Sequence, residues 1–247
     1  MSHVIVIRSY KPGDEISCKE LMKAGLMSSL NNTFFGTVFK EITFQLMILF
    51  AAIMFIFFGL PFSICVLVIP IVVFLVLQCN TYHSRMYMSN AFSCFWVAEA
   101  FQPYIMCRHP KELQYTIMTE EQFRQSNIDV SSQAKKIVGT VALTKSHRLD
   151  KGAWIKRLCV HNQYRRKGVG SNLLKVAVQF AVDQGYSCVN AVGSEYTEGG
   201  RELCLKKGFG LKQMYHRPIV GSIVTILMYE RTTTNNITLH RDSKEFG

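Results

Sequence analysis

The chain has 247 residues and a mass of 28.2 kDa, enough for one domain of ordinary size with additions or for two small domains. Apolar residues make up 49% of it and charged residues only 18%. This excludes a disordered or low-complexity protein, because such chains lack the apolar side chains that a core requires. The net charge is +11, and nearly all of it comes from residues 85–247, which carry 23 basic and 13 acidic side chains.

Eight cysteines show no C-x-x-C pair and no spacing typical of a metal site; they stand at positions 18, 65, 79, 94, 107, 159, 188 and 204. This pattern favours buried free thiols in a reducing compartment over a disulfide framework or a zinc site. We therefore expect no metal cofactor.

The N-terminal segment begins with a predicted strand at His3–Tyr10, in which branched apolar residues alternate. Pro12-Gly13-Asp14 then marks the start of a helix. The predicted buried face of this helix comprises Ile16, Leu21, Met22 and Leu26.

A long uncharged segment follows this helix. Residues 44–77 comprise 34 positions with only Gln45 and Ser63 as polar side chains. One bilayer-spanning helix takes about 20 residues, and Gly59-Leu60-Pro61 interrupts the run near its middle. The segment therefore predicts a membrane-embedded helical hairpin over residues 44–78, either two tilted short helices or a re-entrant pair. A buried core hairpin of a soluble domain is the alternative.

A hairpin returns the chain to the side of the bilayer from which it entered, so residues 1–43 and 80–247 are expected on one face. Lys40 and Arg85 flank the run, and most of the basic charge lies beyond it, which favours the cytosolic face. The predicted location is an internal membrane, the endoplasmic reticulum, with the lipid bilayer as a partner.

Beyond the hairpin, strands and helices alternate, which predicts an α/β fold with a mixed central sheet and flanking helices. The predicted strands are Cys94–Ala100, Lys136–Leu143, Trp154–Val160, Tyr186–Val192, Leu211–Tyr215 and Ile223–Tyr229, and the predicted helices are Gly168–Gln184, closed by Gly185, and Gly200–Lys207. Residues 101–134 are interpreted as a loop insertion with a short helix around Thr119–Gln125, and residues 231–247 as a disordered tail. The main folded domain accordingly covers residues 83–230, and residues 1–43 supply its first strand and helix.

The segment with the clearest chemical character is Val160–Gly170, V-H-N-Q-Y-R-R-K-G-V-G, between a strand and the long helix. The unpaired amides of a first helical turn and the helix dipole favour an anion there. Gly168 and Gly170 allow a diphosphate to approach the backbone. Three basic side chains stand beside them: Arg165, Arg166 and Lys167. A solvated basic loop that merely begins a helix is the alternative.

Through Arg165, Gly168 and Gly170, this segment resembles the acetyl-coenzyme A signature of the GNAT superfamily of acetyltransferases, Gln/Arg-x-x-Gly-x-Gly/Ala. The sequences SCFWVAEA, KKIVGTVAL, RLCV, RRKGVG, VQFAVDQGYS and KKGFG, in this order, resemble the camello branch, the membrane-bound N-acetyltransferases that include N-acetylaspartate synthetase and the cysteine-S-conjugate N-acetyltransferases. The likeness covers residues 3–230 and includes the apolar segment. It implies the GNAT fold, interrupted by the transmembrane hairpin, and acetyl-CoA as the acetyl donor.

The resemblance also implies which residues bind the donor. The backbone of the third strand would hydrogen-bond the pantetheine arm as an added strand does. The amides of the glycine turn would hold the pyrophosphate, with Arg165 fixing the loop and Lys167 screening charge. The implied cofactor-binding residues are Leu158, Cys159, Val160, Arg165, Arg166, Lys167, Gly168, Val169, Gly170, Ser171 and Thr197.

Three positions depart from the pattern of the family. Thr197 replaces the usual asparagine of the second cofactor region, and Cys204 replaces the tyrosine that often protonates the leaving thiolate. Cys204 either donates that proton or packs as a small apolar residue. Arg157 stands where camello relatives commonly have histidine, and it either binds a carboxylate of the acceptor or lies on a solvated strand face.

The general base is left open among Glu99, His161, Glu195 and Glu198, and a bridging water can serve instead. The leading hypothesis is a membrane-anchored N-acetyltransferase that transfers acetyl from acetyl-CoA to an amine of a small molecule or a lysine, with Cys204 and Glu99 as candidate catalytic residues. The alternative is a protein that retains the fold without turnover and acts as a cofactor-binding or interaction module. Nucleic acid is not an expected partner, because the basic residues are scattered and no recognition motif occurs.

Overall fold

The computed structural model describes residues 3–38, 41–59, 61, 94–103, 110–111, 113–126, 128–131, 133–146, 151–195, 198–219 and 222–233. The strands within these residues are β1 (His3–Ser9), β2 (Cys94–Pro103), β3 (Tyr115–Thr119), β4 (Gln133–Lys145), β5 (Gly152–Val160), β6 (Cys188–Ser194), β7 (Gly210–Ile219) and β8 (Ser222–Thr232). The helices are α1 (Glu15–Val38), α2 (Glu41–Phe58), α3 (Glu120–Gln125), a 3-10 helix (Asn162–Tyr164), α4 (Val169–Asp183) and α5 (Glu198–Lys206).

The strands form one mixed sheet in the order β3-β1-β2-β4-β5-β6-β8-β7. β1 runs parallel to β3, and β5 runs parallel to β6, whereas the other neighbouring pairs are antiparallel. Every predicted strand overlaps an observed one. The prediction of an α/β fold with a mixed sheet and flanking helices is therefore confirmed.

Helix α4, predicted from the sequence at Gly168–Gln184, covers one face of the sheet through an apolar stripe. The stripe packs against β2, β4 and β5. Its buried members are Val169, Leu173, Leu174, Ala177, Val178 and Ala181. Complete burial of a leucine or valine side chain contributes about 1.5–3 kcal/mol, so this stripe supplies a large part of the free energy that holds α4 against the sheet.

Helix α1 crosses the opposite face over β4 and β5. Its buried residues include Cys18 and Leu21. Gly25 lies close to β5, because a Cβ atom at this position would be only 2.3 Å from the Cys159 sulfur. The expectation that Ile16 is buried is wrong, since its side chain is 74% exposed. The reason is helical phase, because Ile16 lies about 200° around the helix from Cys18.

The 101–134 segment contains more regular structure than the interpretation as a loop allowed. The short helix is present as α3, and Thr119 caps it in a capping box with Gln122. Residues Tyr115–Thr119 form β3, which pairs with β1 at the edge of the sheet. Local sequence could not predict this strand, because its partner lies more than a hundred residues away in the chain.

The C-terminal strand extends into the region predicted as a disordered tail. β8 includes Arg231 and Thr232, and Thr233 is buried with its amide donating to the Ser187 carbonyl. The rest of the predicted tail lies outside the described residues.

The first arm of the predicted hairpin corresponds to α2. This helix ends at Phe58, immediately before Gly59, whose φ of +60° marks the interruption predicted there. Several large apolar side chains of α2 are exposed, among them Ile56 at 71% and Phe57 at 79%. The second arm lies outside the described residues. Among the helices that are described, none has both the length and the apolar content required to cross a membrane.

Gly139 of β4 provides a test of the packing between α4 and the sheet. A Cβ atom at this position would lie 2.8 Å from Leu173 Cδ1, 3.1 Å from Val169 Cγ1 and 3.2 Å from Ala98 Cβ. We expect Gly139→Ala to lower the free energy of unfolding by about 1–3 kcal/mol, because α4 must move away from β4. Urea unfolding of the purified chain measures this change.

The matched control is Gly193→Ala in β6, where an added Cβ would meet no atom within 4 Å. We expect this variant to unfold within about 0.5 kcal/mol of the wild type. Equal unfolding midpoints for the two variants would contradict the close packing of α4 on β4.

Candidate active site

β5 and β6 diverge in the interior of the sheet. They pair only from Gly152–Ile155 to Cys188–Ala191, whereas β6 continues to pair with β8 as far as Ser194. From Lys156 to Val160, β5 has no register partner on β6 within the described sheet. The backbone of β5 therefore lines a gap between two strands, and an extended ligand can hydrogen-bond to such a free strand edge.

A one-residue bulge accompanies this divergence. Lys156 pairs with Ala142 and Cys159 with Thr140, so β5 carries one more residue than β4 between these pairs. Arg157 has a φ of +54°, in the left-handed region that costs a non-glycine residue about 1–2 kcal/mol. The Thr140 hydroxyl donates to the Arg157 carbonyl at 3.0 Å and stabilises the bulge.

The bulge reverses the direction of the side chains that follow it. Ile155, Leu158 and Val160 all pack with the core beneath α4. Cys159 faces α1 instead, and its thiol donates to the Leu21 carbonyl at 3.5 Å. Arg157 itself is half-buried, and this burial lowers the pKa of its guanidinium. The predicted pantetheine-binding segment thus has its side chains fixed by two different layers.

The glycine turn leads directly from the end of β5 into α4. Gly168 is the N-cap of α4, and no side chain caps the first turn. The first intrahelical hydrogen bond runs from the backbone N–H of Asn172 to the Gly168 carbonyl, at 3.0 Å. The amides of Val169, Gly170 and Ser171 precede it and have no intrahelical acceptor. These three amides are the ones for which the sequence predicts an anion ligand.

The two glycines of this turn are required for different reasons. Gly168 has a φ of +83°, and a Cβ there would make only ordinary contacts, so backbone conformation is what favours glycine. At Gly170 a Cβ would lie 3.4 Å from Leu203 Cδ2 and 3.5 Å from Val160 Cγ2. The missing side chain of Gly170 therefore faces the space between the end of β5 and α5.

The basic side chains of the turn differ in their contacts. Arg165 connects the turn to its surroundings: its Nε donates to the Val160 carbonyl at 3.1 Å, and its guanidinium also donates to the Ser28 hydroxyl at 3.4 Å. Lys167 is less available for screening charge than the sequence suggested. Its ammonium donates to the carbonyls of Lys111 and Leu113. Arg166, at a left-handed φ of +64°, forms an ion pair with Glu202 of α5 at 2.7 Å.

Glu99, a candidate catalytic base, is engaged in a charge network on the α1 side of the sheet. The guanidinium of Arg8 contacts both Glu99 oxygens at 3.2 Å and Asp14 at 2.7 Å. All three side chains are nearly buried, at 9–13% exposure. Hydrogen bonding to Arg8 lowers the pKa of Asp14. The network anchors the start of α1 to β1 and β2, which accounts for Glu99 without a catalytic role.

Cys204, the candidate proton donor, packs in the core beneath α5 with 7% exposure. Burial raises the pKa of its thiol. This environment agrees with the packing interpretation of Cys204.

His161 follows β5 directly, and its Nδ1 accepts the Gln163 amide at 3.4 Å. Its pKa is lowered, first by burial and then by Lys136 and Arg165, so the neutral imidazole predominates at pH 7. Glu195 is exposed and accepts the Thr225 amide. Thr197 and the side chain of Glu198 lie outside the described residues. Within the described parts of the chain, no group of three or more His, Cys, Asp or Glu side chains could hold a metal ion.

Sequence reasoning missed three residues that shape this region: Arg8, Thr140 and Glu202. Arg8 did carry a signal, because a charge in an otherwise apolar alternating strand requires a buried partner of opposite charge. The sequence contains no such signal for Thr140 or Glu202, because their partners, Arg157 and Arg166, are brought close only by the fold.

The comparisons with known proteins agree with this geometry. Residues 90–209, slightly less than half of the chain, match the family model described as the acetyltransferase (GNAT) family. No curated protein matches the chain.

Several solved structures are similar to the chain at low identity. An acetyltransferase of the GNAT family from Staphylococcus aureus Mu50 is 13% identical, covering 93% of this chain and 99% of that chain, with a TM-score of 0.45. An acetyltransferase of the GNAT family from Streptococcus pneumoniae is 15% identical over the same shares, with a TM-score of 0.44. A GNAT family acetyltransferase from Elizabethkingia anophelis, solved with acetyl-CoA bound, is 13% identical and covers 60% of this chain and 80% of that chain, with a TM-score of 0.38. It is the match of residues 90–209 to the family model that supports the GNAT acetyltransferase family and fold for this chain.

Proposed function

We propose that this protein is a membrane-anchored N-acetyltransferase of the camello branch, which transfers acetyl from acetyl-CoA to an amine. One observation carries the proposal: β5 leaves β6 after Ile155 and leads directly into an uncapped glycine turn at the start of α4. A strand edge and a helix N-terminus are thereby joined by one short segment. The first suits an extended amide chain and the second suits a diphosphate, and acetyl-CoA contains both in sequence.

The residues present fit this donor. The backbone of Leu158–Val160 would bind the pantetheine arm, and the amides of Val169–Ser171 would bind the pyrophosphate. The donor supplies an activated thioester, so the protein needs chiefly to position it and to accept a proton from the amine. Glu99 is occupied by Arg8 and Cys204 is packed in the core. We therefore propose that the amine proton leaves through water rather than directly to either residue.

Arg157 supports a carboxylate-bearing acceptor. It lies at the bulge, next to the segment proposed to bind the pantetheine arm, and a guanidinium binds a carboxylate through paired hydrogen bonds. The side chain of a lysine within a protein carries no carboxylate beside its amine.

The alternative function is a cofactor-binding or interaction module without turnover. It is favoured by the burial of Cys204 at the position where the family usually has tyrosine. Thiolates leave without an acid, however, because the pKa of an ordinary thiol is only about 8.5. Turnover is therefore compatible with this substitution.

Membrane anchoring through residues 44–78 is supported by the exposure of apolar side chains on α2. Ile48, Leu49 and Phe55 are each about half exposed, in addition to the still more exposed residues at the end of the helix. Exposed apolar area of this extent is typical of surfaces that contact lipid or another protein.

Donor binding is tested at Gly170. We expect Gly170→Glu to weaken acetyl-CoA binding at least about tenfold, since a carboxylate would face the phosphates beside the free amides. Isothermal titration of the detergent-purified full chain measures the dissociation constant. Gly170→Ala is the matched control, because its methyl group would make only ordinary contacts. Equal affinity of the glutamate variant, or no binding by the wild type, would contradict the proposed donor site.

The role of Cys204 is tested by its replacement. We expect Cys204→Ala to retain kcat within about threefold, since the loss of a thiol that serves only packing affects mainly stability. Acetylated product from a panel of carboxylate-bearing and other amines, detected by mass spectrometry, measures turnover. A loss of about a hundredfold or more, with the melting temperature maintained, would identify Cys204 as the proton donor. Donor binding by the wild type without any product would favour the non-catalytic alternative.

The anchor is tested by cell fractionation. We expect the full chain to remain with membranes after carbonate extraction. Ile53→Lys combined with Ile56→Lys should reduce this fraction, because a lysine in a membrane-embedded segment is unfavourable, by up to about 2.5–3.5 kcal/mol at the bilayer centre. Ile16→Lys, at an apolar position on α1 that is about as exposed as Ile56, is the control and should not change it. Extraction of the wild type by carbonate would contradict the anchor.

A further inference from the structure

The ion pair between Arg166 and Glu202 differs from the other contacts of the glycine turn. Lys167 donates to backbone carbonyls, which cannot leave without moving the chain, and Arg165 donates to a backbone carbonyl and to the Ser28 hydroxyl. Arg166 is bound by a side-chain carboxylate at 2.7 Å, and the two side chains are 79% and 52% exposed. Rotation about side-chain bonds is enough to separate this pair. Among the basic residues of the turn, Arg166 is thus the one that is paired with a carboxylate in the described part of the chain, and an anionic ligand can replace such a partner.

Glu202 is positioned by α5 beside the proposed donor site. Its neighbour Leu203 faces Gly170, 3.4 Å from where a Cβ of that residue would lie. The ion pair therefore connects the turn to the helix that borders the same space. The left-handed backbone of Arg166 orients this side chain within the turn, two residues before the N-cap Gly168.

We propose that Glu202 is an internal competitor of the donor's phosphates for Arg166. Carboxylates and phosphates bind a guanidinium through the same paired hydrogen bonds, so one partner excludes the other. In the free protein Glu202 forms an ion pair with Arg166. When a diphosphate binds at the turn, Arg166 separates from Glu202 and contacts the phosphate. Glu202 is thereby a positioning residue that weakens acetyl-CoA binding and speeds release of the spent donor. This inference rests on the proposed function.

The expected effect is modest. Both side chains are well exposed, and solvent-exposed ion pairs contribute little, so removal of the competitor should tighten binding by about two- to fivefold. The effect should diminish at high salt, because ions screen exposed charges.

The test is a double-mutant cycle on the dissociation constant of acetyl-CoA, measured with the full chain in detergent at about 50 mM salt. We expect Glu202→Gln to tighten binding two- to fivefold, and to have no effect when Arg166 is already replaced by glutamine. Asp183→Asn is the matched control, since it removes the same charge from the far end of α4, where Gln179 contacts it. In steady-state kinetics Glu202→Gln should lower the KM for acetyl-CoA and leave the acceptor KM unchanged. These readouts separate competition from a merely structural role.

Unchanged or weaker binding by Glu202→Gln would overturn the inference. Equal tightening in the Arg166→Gln background, or by Asp183→Asn, would overturn it as well, because the effect would then be one of net charge. If the wild type binds acetyl-CoA and Glu202→Gln does not tighten it, only this inference fails. If the wild type does not bind acetyl-CoA, the proposed function fails and this inference fails with it.

Discussion

The extra residue that β5 carries at Arg157 is the constraint on which the rest of the site depends. A strand has a period of two, so one inserted residue reverses the faces of all side chains beyond it. Leu158 and Val160 consequently join the core beneath α4 together with Ile155, and Cys159 turns toward α1. The same bulge accompanies the loss of pairing between β5 and β6. Backbone strain at one residue thus coincides with an open strand edge in the middle of an otherwise continuous sheet.

The packing of α4 fixes the position of its first turn beside this strand edge. The helix begins at Val169, shortly after β5 ends at Val160, and its buried apolar stripe holds the first turn in a fixed place over β4. Its unpaired amides are therefore preorganised, and little conformational entropy remains to be lost when an anion binds. The surrounding basic residues do not act as one diffuse positive patch. Arg165 and Lys167 stabilise the loop through backbone carbonyls, whereas Arg166 is paired with a side-chain carboxylate that can move away.

On the opposite face of the sheet, the carboxylate of Glu99 is paired with the guanidinium of Arg8. A buried carboxylate requires a compensating charge, and the guanidinium of Arg8 supplies it for Glu99 and Asp14 together. The network connects β1, β2 and the start of α1. Glu99, which the sequence offers as a candidate catalytic base, therefore belongs to the network that positions α1 over β5.

The sequence by itself was sufficient for features that depend on neighbours in the chain. The helix at Gly168–Gln184, the strand alternation, the short helix around Thr119–Gln125 and the glycine turn are local patterns, and each appears in the structure near its predicted place. The phase of α1 at Ile16, the strand β3 and the partners of Glu99, Lys167 and Arg166 were decided only by tertiary structure. Each of these depends on residues that are distant in sequence and close in space. Local sequence cannot predict them, because the burial and the charge partner of a side chain are set by its spatial neighbours.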